Sequence, residues 1–162
     1  MKKITTFIGA LLLLSSGYAQ TPNSVFLEVG GYTRIYSVNY ARQIAQVGNR
    51  AFFFRGGLGF DGTEVSIPLA GTFTMNFSGH HLLLGAGATM VRRRKTEWTI
   101  AGSDTYIYYT TEVGYRFRLP GKPWFLGASL YPKFKTDPEP GNFLPNERKY
   151  LMSIGAHAGY SF

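Results

Sequence analysis

Cysteine is absent from this chain of 162 residues. The absence excludes disulfide bonds, a thiolate nucleophile and thiolate metal sites, and it leaves no cysteine to carry a lipid anchor after export. A long apolar run is missing as well, because the stretch from Ile4 to Leu14 is shorter than the roughly 20 residues with which a helix spans a bilayer. Acidic residues are few, nine against 17 Lys and Arg.

The first 19 residues have the features of a secretory signal peptide. Lys2 and Lys3 precede the apolar run, and Gly17-x-Ala19 supplies the small residues of a cleavage site. We therefore expect residues 20–162 to form the mature chain, a length that suits one domain. The formal net charge is +8, but the basic residues are scattered or lie in predicted loops. Because an exported protein meets little nucleic acid, we predict no nucleic-acid partner.

The residues that are plentiful favour β-structure. The chain has 11 Tyr, 13 Phe and 20 Gly, which are typical of turn-rich β-structure. After the signal, no segment repeats apolar residues at helical spacing, whereas alternation with a period of two recurs. Eight segments alternate: Ser24 to Gly31, Thr33 to Ile44, Ala51 to Asp61, Thr63 to Phe77, His81 to Arg92, Thr105 to Leu119, Trp124 to Lys135, and Lys149 to Phe162. Most could cross a hydrocarbon layer as tilted strands, which takes about 9 to 11 residues.

The last segment indicates which medium each face meets. One face carries Tyr150, Met152, Ile154, Ala156, Ala158, Tyr160 and Phe162, and the other is small and polar. Aromatic residues at both ends with small residues between them are typical of the girdles of a transmembrane barrel, whereas a soluble core holds its bulky residues mid-strand. We therefore predict an all-β fold, an eight-stranded antiparallel up-and-down transmembrane β-barrel, with its apolar faces outward.

The lengths of the connections predict an orientation. Connections 4-5 (Ser78 to His80) and 6-7 (Pro120 to Pro123) are short, whereas 5-6 (Arg93 to Asp104) and 7-8 (Thr136 to Arg148) are long and polar. Outer-membrane barrels have short periplasmic turns and longer outer loops. The two long connections are thus expected outside the cell. Asp61-Gly62 in connection 3-4 reads as a two-residue hairpin turn.

Several short motifs resemble one family. They are Glu28-Val29-Gly30-Gly31, Ile35-Tyr36-Ser37-Val38-Asn39-Tyr40, Ile67-Pro68-Leu69, Gly114-Tyr115-Arg116-Phe117 and Gly159-Tyr160-Ser161-Phe162. In this order they resemble the small eight-stranded outer-membrane β-barrel proteins common in Bacteroidota, which are OmpA/OmpX-like barrels. The chain departs from that pattern at Tyr40-Ala41-Arg42, where an acidic residue is usual after the Tyr. The resemblance implies a fold and a location in the cell outer membrane, and it also accounts for Pro68 and Pro132 inside strands, which we interpret as local bends or bulges.

Six polar residues are placed on the inward register. They are Glu28, Arg55, Glu112, Arg116, Arg118 and His157. Charges at membrane depth are costly unless they are paired, so we interpret them as a salt-bridged network that fills the lumen. A selective conduit is the alternative, but the interior of eight strands is just wide enough for side chains to fill it.

The three histidines do not form a persuasive catalytic or metal site. His80 and His81 are neighbours on a strand, so their side chains point to opposite faces and make a poor chelating pair. His157 would need a serine beside it on the same face, but Ser153 and Ser161 are each four residues away, about 13 Å along a strand. We predict no catalytic residue, no metal and no cofactor.

Two surface features suggest partners. Arg92, Arg93, Arg94 and Lys95 lie at the outer rim, where they could bind lipopolysaccharide phosphates; the alternative is a solvated loop base. Tyr160 and Phe162 resemble the terminal aromatic signal that barrel-assembly machinery recognises, although His157 stands where Gly is often found.

The function expected from the sequence is that of an integral outer-membrane protein, monomeric and non-enzymatic. Its partners are outer-membrane lipid, lipopolysaccharide and the assembly machinery, and its role is structural or one of surface interaction through the long outer loops. Two alternatives remain open. One is a lipid-modifying outer-membrane enzyme, and the other is a soluble periplasmic barrel that binds a ligand inside and whose apolar register points inward.

Overall fold

The chain folds into a closed eight-stranded barrel. The computed structural model describes residues 23–62, 64–93, 105–136 and 150–162. Its strands are Asn23–Val29 (β1), Tyr36–Val47 (β2), Arg50–Asp61 (β3), Glu64–Phe77 (β4), His80–Arg93 (β5), Thr105–Arg118 (β6), Trp124–Thr136 (β7) and Tyr150–Ser161 (β8). Each strand pairs antiparallel with the next, and β8 pairs with β1. The predicted eight-stranded antiparallel barrel is confirmed, while the predicted signal peptide lies outside the described residues.

Alternation along each strand sorts the side chains between two environments. In β8, Ile154 is 73% exposed on the outer face, whereas His157 is 4% exposed on the inner face. Because successive side chains of a strand point to opposite faces, closure of the sheet places one whole register inside. The apolar register faces outward, so the requirement for a soluble ligand-binding barrel, an inward apolar register, is not met by the described strands.

The second strand begins later than predicted. It starts at Tyr36 rather than Thr33, and residues 30–35 connect it to β1. Gly30 has φ +73, a left-handed conformation that favours glycine. The connection then turns inward, where Tyr32 and Thr33 are 0% and 2% exposed. The alternating pattern of these residues thus reflects a folded-in connection rather than a longer strand.

Tight turns close one end of the barrel. Ser78 and Gly79 join β4 to β5 with φ values of 53 and 91, the left-handed pair of a type I′ hairpin turn. His80, predicted in this turn, instead begins β5 and pairs with Phe77. Likewise Asp61 pairs with Glu64, which moves the β3–β4 turn one residue beyond its predicted position. We call the end with connections 48–49, 78–79 and 119–123 the turn end, and the opposite one the loop end.

Two prolines interrupt pairing without shifting the register. Pro68 pairs with Thr89 of β5. On its other side, β3 and β4 form no residue pairs between the pair Gly56 and Leu69 and the pair Gly59 and Ser66, so Pro68 has no partner in β3. Pro132 pairs with Met152 of β8 and lies in a similar gap between β6 and β7. Since a proline has no N–H to donate, it leaves one ladder open. The register continues unchanged across both gaps, so these prolines are not bulges, and their interpretation as local bends stays a prediction.

Candidate functional site

Three strands bring charged side chains together at the centre of the barrel. Arg55 of β3 lies with its Nη1 and Nη2 atoms 3.3 Å from Oε1 of Glu28 on β1, and with Nη2 3.3 Å from Oε2. Its Nη1 is also 3.9 Å from Oε2 of Glu112 on β6. The side chains of the three residues are at most 4% exposed. One guanidinium therefore serves two buried carboxylates.

A tyrosine hydroxyl links the same two carboxylates. The Tyr131 hydroxyl lies 2.7 Å from Oε1 of Glu28 and 3.1 Å from Oε1 of Glu112. Glu112 Oε1 also accepts a hydrogen bond from Ser129 Oγ at 3.0 Å. We call Glu28, Arg55, Glu112 and Tyr131 the central cluster. Its hydrogen bonds satisfy the carboxylate oxygens, a condition for tolerating charge in a low-dielectric interior.

The connection between β1 and β2 holds this cluster from the loop end. The Tyr32 amide donates to Oε2 of Glu28 at 3.1 Å, and the Arg55 guanidinium carbon lies 3.8 Å from the centre of the Tyr32 ring. Thr89 Oγ1 donates to the Tyr32 carbonyl at 3.2 Å, and Lys133 Nζ to the Thr33 carbonyl at 2.9 Å. The short connection is therefore bound to the barrel interior by side chains from four strands.

Arg116 and His157 lie together, but apart from the carboxylates. The guanidinium carbon of Arg116 is 4.3 Å from the centre of the Phe125 ring, and its Nε is 3.5 Å from His157 Nε2. No described carboxylate lies within 4.0 Å of its nitrogen atoms. Along β6 it is four residues from Glu112, about 13 Å. Arg116 is thus stabilised by an aromatic face, whereas the carboxylates take Arg55 as their partner.

The surroundings of His157 are not those of a general base that activates a nucleophile. Its ring lies edge-on to Phe26 and Phe125, with ring centres 6.0 and 6.1 Å away, and its Nδ1 has no hydrogen-bond partner among the described residues. No serine hydroxyl bonds to the imidazole in the described part of the chain. On the facing strand stands Gly127, where an added Cβ would collide with the imidazole. The small residue makes room for this histidine.

The other two histidines point in different directions. His80 is exposed and its Nδ1 is hydrogen-bonded to the hydroxyl of Tyr115, with the Phe117 ring 5.2 Å away. His81 faces the interior, opposite Arg116 of β6. Within the described ranges, no three His, Asp or Glu residues come together as a metal site would require.

Two chains with solved structures are similar in fold. One is the N-terminal β-barrel domain of OprF from Pseudomonas aeruginosa, with a TM-score of 0.59, 12% identity, and 88% of this chain and 96% of that chain covered. The other is the outer membrane protein Ail of Yersinia pestis, determined in a phospholipid bilayer nanodisc, with a TM-score of 0.52, 11% identity, and 88% and 100% covered. This chain shares the fold of an outer membrane protein. No family model matches the sequence, and neither does any curated protein, so the Bacteroidota family assignment stays a prediction.

The predicted basic rim and the predicted assembly signal lie at opposite ends of the barrel. At the loop end, Arg92 is exposed near the end of β5 and pairs with Thr105; the side chains of Arg93, Arg94 and Lys95 lie outside the described residues. At the turn end, Tyr160 is 5.2 Å from the Trp124 ring and 6.3 Å from the Phe162 ring, all on the outer face. No helix among the described residues is long and apolar enough to cross a membrane.

Several polar residues of the interior were not among the predicted site residues. They are Tyr131, Lys133 and Lys135 on β7, Glu64 on β4 and Tyr106 on β6. The Tyr106 hydroxyl donates to Oε2 of Glu64 at 2.8 Å, and Lys135 Nζ lies 4.0 Å from the centre of the Tyr106 ring. The sequence pattern of β7 does predict an inward direction for Tyr131, Lys133 and Lys135, because they share the alternating register of Phe125.

Proposed function

We propose that this chain is an integral outer-membrane protein with a filled lumen and a structural or surface-interaction role. The observation that carries the proposal is the outer face of the closed barrel. Leu27, Val113, Leu126 and Ile154, on four strands, are each more than half exposed, and so large a contiguous apolar surface is not expected of a protein in water. In a bilayer the same surface meets hydrocarbon, and barrel closure leaves no unpaired strand edge.

Fractionation and gel mobility test the location. The folded chain should remain with the outer membrane after carbonate washing, and it should migrate differently on a gel before and after heating. Recovery in the soluble periplasmic fraction at equal expression would contradict the proposal.

The proposal of a filled lumen is based on large side chains that extend into the interior. Phe26, Tyr32, Phe125 and Tyr131 are at most 2% exposed, and the Arg55 guanidinium carbon lies 5.5 and 3.8 Å from the centres of the Phe26 and Tyr32 rings. An interior so occupied leaves no continuous aqueous path. We expect no single-channel conductance in planar bilayers, and regular conductance steps that vanish on heat denaturation would contradict this expectation.

The surface role depends on an orientation with the loop end outside. Connections 5-6 and 7-8, at the loop end, are the longest in the chain, as outer loops are. An epitope inserted at Ser103 or Gly141 should bind antibody on intact cells, whereas one at Gly121 should bind only after permeabilisation. The reverse labelling would invert the orientation.

A lipopolysaccharide contact at Arg92, Arg93, Arg94 and Lys95 is the partner we propose. Arg92 is on the outward register of β5, at the end of an apolar face, where its guanidinium could meet phosphates of the outer leaflet. Changing the four residues to Gln should weaken retention on lipopolysaccharide at low salt and have little effect at high salt. The change Arg42→Gln, on the outer face at the turn end, is the control, and equal losses from both changes would contradict this contact.

The role we propose is non-enzymatic. His157 is enclosed by two phenyl rings and a guanidinium, an arrangement without the nucleophile and oriented acid of a hydrolase. Expression of the folded protein should leave the lipid A and phospholipid profiles unchanged in mass spectra. A new lipid species that disappears in His157→Gln would support the lipid-modifying alternative.

A further inference from the structure

The interior of the barrel has an uneven distribution of charge. Among the described residues, the side-chain carboxylates are Glu28, Asp61, Glu64 and Glu112. Two of them lie in the central cluster, and Asp61 and Glu64 lie at the loop end, each with one oxygen 3.9 Å from a nitrogen of Arg34. The described interior between Arg116 and the turn end therefore carries basic side chains without a side-chain carboxylate.

A cavity lies in this basic part. It has a volume of about 140 Å³ and is lined by Arg118, His81, Gln43 and Asn76, with Arg50 at its rim. A volume of roughly 10–15 Å³ is enough to hold one water, so a polyatomic ion with some of its waters fits. The cavity opens at the turn end and is within reach of solution.

Two side chains with nitrogen donors that line the cavity, Arg118 and His81, have no partners among the described residues. Neither the Arg118 guanidinium nor the His81 imidazole makes a hydrogen bond or an ion pair there. The backbone fixes both residues, since the Arg118 amide donates to the Gly79 carbonyl at 2.8 Å and His81 pairs with Arg116. The Arg118 guanidinium is therefore a charge without a partner in a cleft with low-dielectric walls, which attracts a counter-ion strongly, and the His81 imidazole adds an N–H donor beside it.

We propose that this cavity, which we call the turn-end cavity, binds the phosphate group of a small solute or a lipid. Side chains with donors line it from β2, β4, β5 and β6, namely Gln43, Asn76, His81 and Arg118, so that donors surround one space. A tetrahedral phosphate can accept hydrogen bonds on several sides, whereas a planar carboxylate matches a single guanidinium. The proposal goes beyond the outer-membrane role and does not depend on which end of the barrel faces the cell exterior.

Nuclear magnetic resonance of the folded full-length chain in zwitterionic nanodiscs tests the site. Inorganic phosphate is titrated at constant ionic strength, with chloride as the replaced ion. We expect saturable shifts of the Gly79, His81 and Arg118 signals. Arg118→Gln should weaken the apparent affinity about tenfold, as loss of a charge-assisted hydrogen bond implies. Arg42→Gln, which removes the same charge from the outer face at the same end, should leave the affinity unchanged.

Two further arms identify the source of the phosphate and guard against misfolding. Shifts produced by glycerol 3-phosphate indicate a free solute, whereas the same shifts produced by phosphatidylglycerol in the nanodisc indicate a lipid headgroup. If Arg118→Gln does not fold, His81→Gln takes its place against the same Arg42→Gln control. Linear, unsaturable shifts in the wild type, or equal weakening by the cavity and control changes, would overturn the proposal.

Discussion

Replacing Arg55 with Met should be the most destabilising single change in the central cluster. Arg55 is 3% exposed, and its guanidinium is the partner of both Glu28 and Glu112. Removing one partner of a buried ion pair typically costs about 3–5 kcal/mol, because the remaining charge is left buried without compensation. Arg55→Met leaves two such carboxylates, so we expect a loss at the upper end of that range.

Glu28→Gln should cost less, for a reason visible in the contacts. The Tyr131 hydroxyl, which is 2.7 Å from Glu28 Oε1 in the wild type, can still donate to the amide oxygen of Gln. Arg55 also retains its ion pair with Glu112, 3.9 Å away. The double variant Glu28→Gln/Arg55→Met leaves only the Glu112 carboxylate without a partner, whereas Arg55→Met alone leaves two. The losses in stability from the two single changes should therefore not add. We expect a coupling of about 1–3 kcal/mol between Glu28 and Arg55, within the range for residues in one network.

The matched control is the pair Glu112 and Arg116. Both face the interior of β6, but Arg116 is stacked on Phe125 and is not among the ion pairs. In a double-mutant cycle, the losses in unfolding free energy from changing Arg116 and Glu112 should therefore add to within about 0.5 kcal/mol. The assay is reversible urea unfolding in lipid vesicles, followed by Trp fluorescence and by gel mobility. Additive losses for Glu28 and Arg55, or a larger coupling for the control pair, would refute this account of the interior.

Three other changes should have distinct effects. Gly127→Val should lower the folded fraction sharply, since its side chain would collide with an imidazole inside the barrel, whereas the outward change Ala128→Val should be tolerated; equal folded fractions would contradict this packing. Lys133→Met removes the 2.9 Å hydrogen bond to the Thr33 carbonyl, so hydrogen exchange should accelerate in residues 30–35 before the barrel unfolds; unchanged exchange would mean that other contacts hold the connection. Phe162→Ser should raise the unfolded periplasmic pool at equal expression if the aromatic end of β8 is recognised by the assembly machinery, and an unchanged pool would leave Phe162 an interfacial anchor.

Most of the fold could be predicted because the deciding pattern is local. The period-two alternation in β4, β6 and β8 needs only neighbouring residues to show which face each side chain takes. Residues 30–31 and 33–35 were misassigned because they continue the alternating segments of the two strands. What makes them a connection is the glycine at position 30 and the long-range hydrogen bonds of Thr89 and Lys133.

The inward direction of the charged residues could be predicted, but their partners could not. Which inward side chains meet depends on the stagger between strands around the closed barrel, and no single segment encodes that stagger. Glu112 and Arg116 are neighbours in sequence on one face, yet the cation that reaches Glu112 comes from β3. Tyr131 bridges two carboxylates that are 84 positions apart in the chain, at 28 and 112.

Depth-resolved labelling of β8 tests the central claim, that the apolar register meets lipid. The chain has no cysteine, so single cysteines can be placed at positions 152 to 158 in turn and given a nitroxide. In the folded protein in bilayers, labels at Met152, Ile154, Ala156 and Ala158 should be accessible to oxygen and shielded from a water-soluble nickel reagent, and labels between them should be shielded from oxygen. A pattern without this period of two, or nickel access at the apolar positions, would contradict the account.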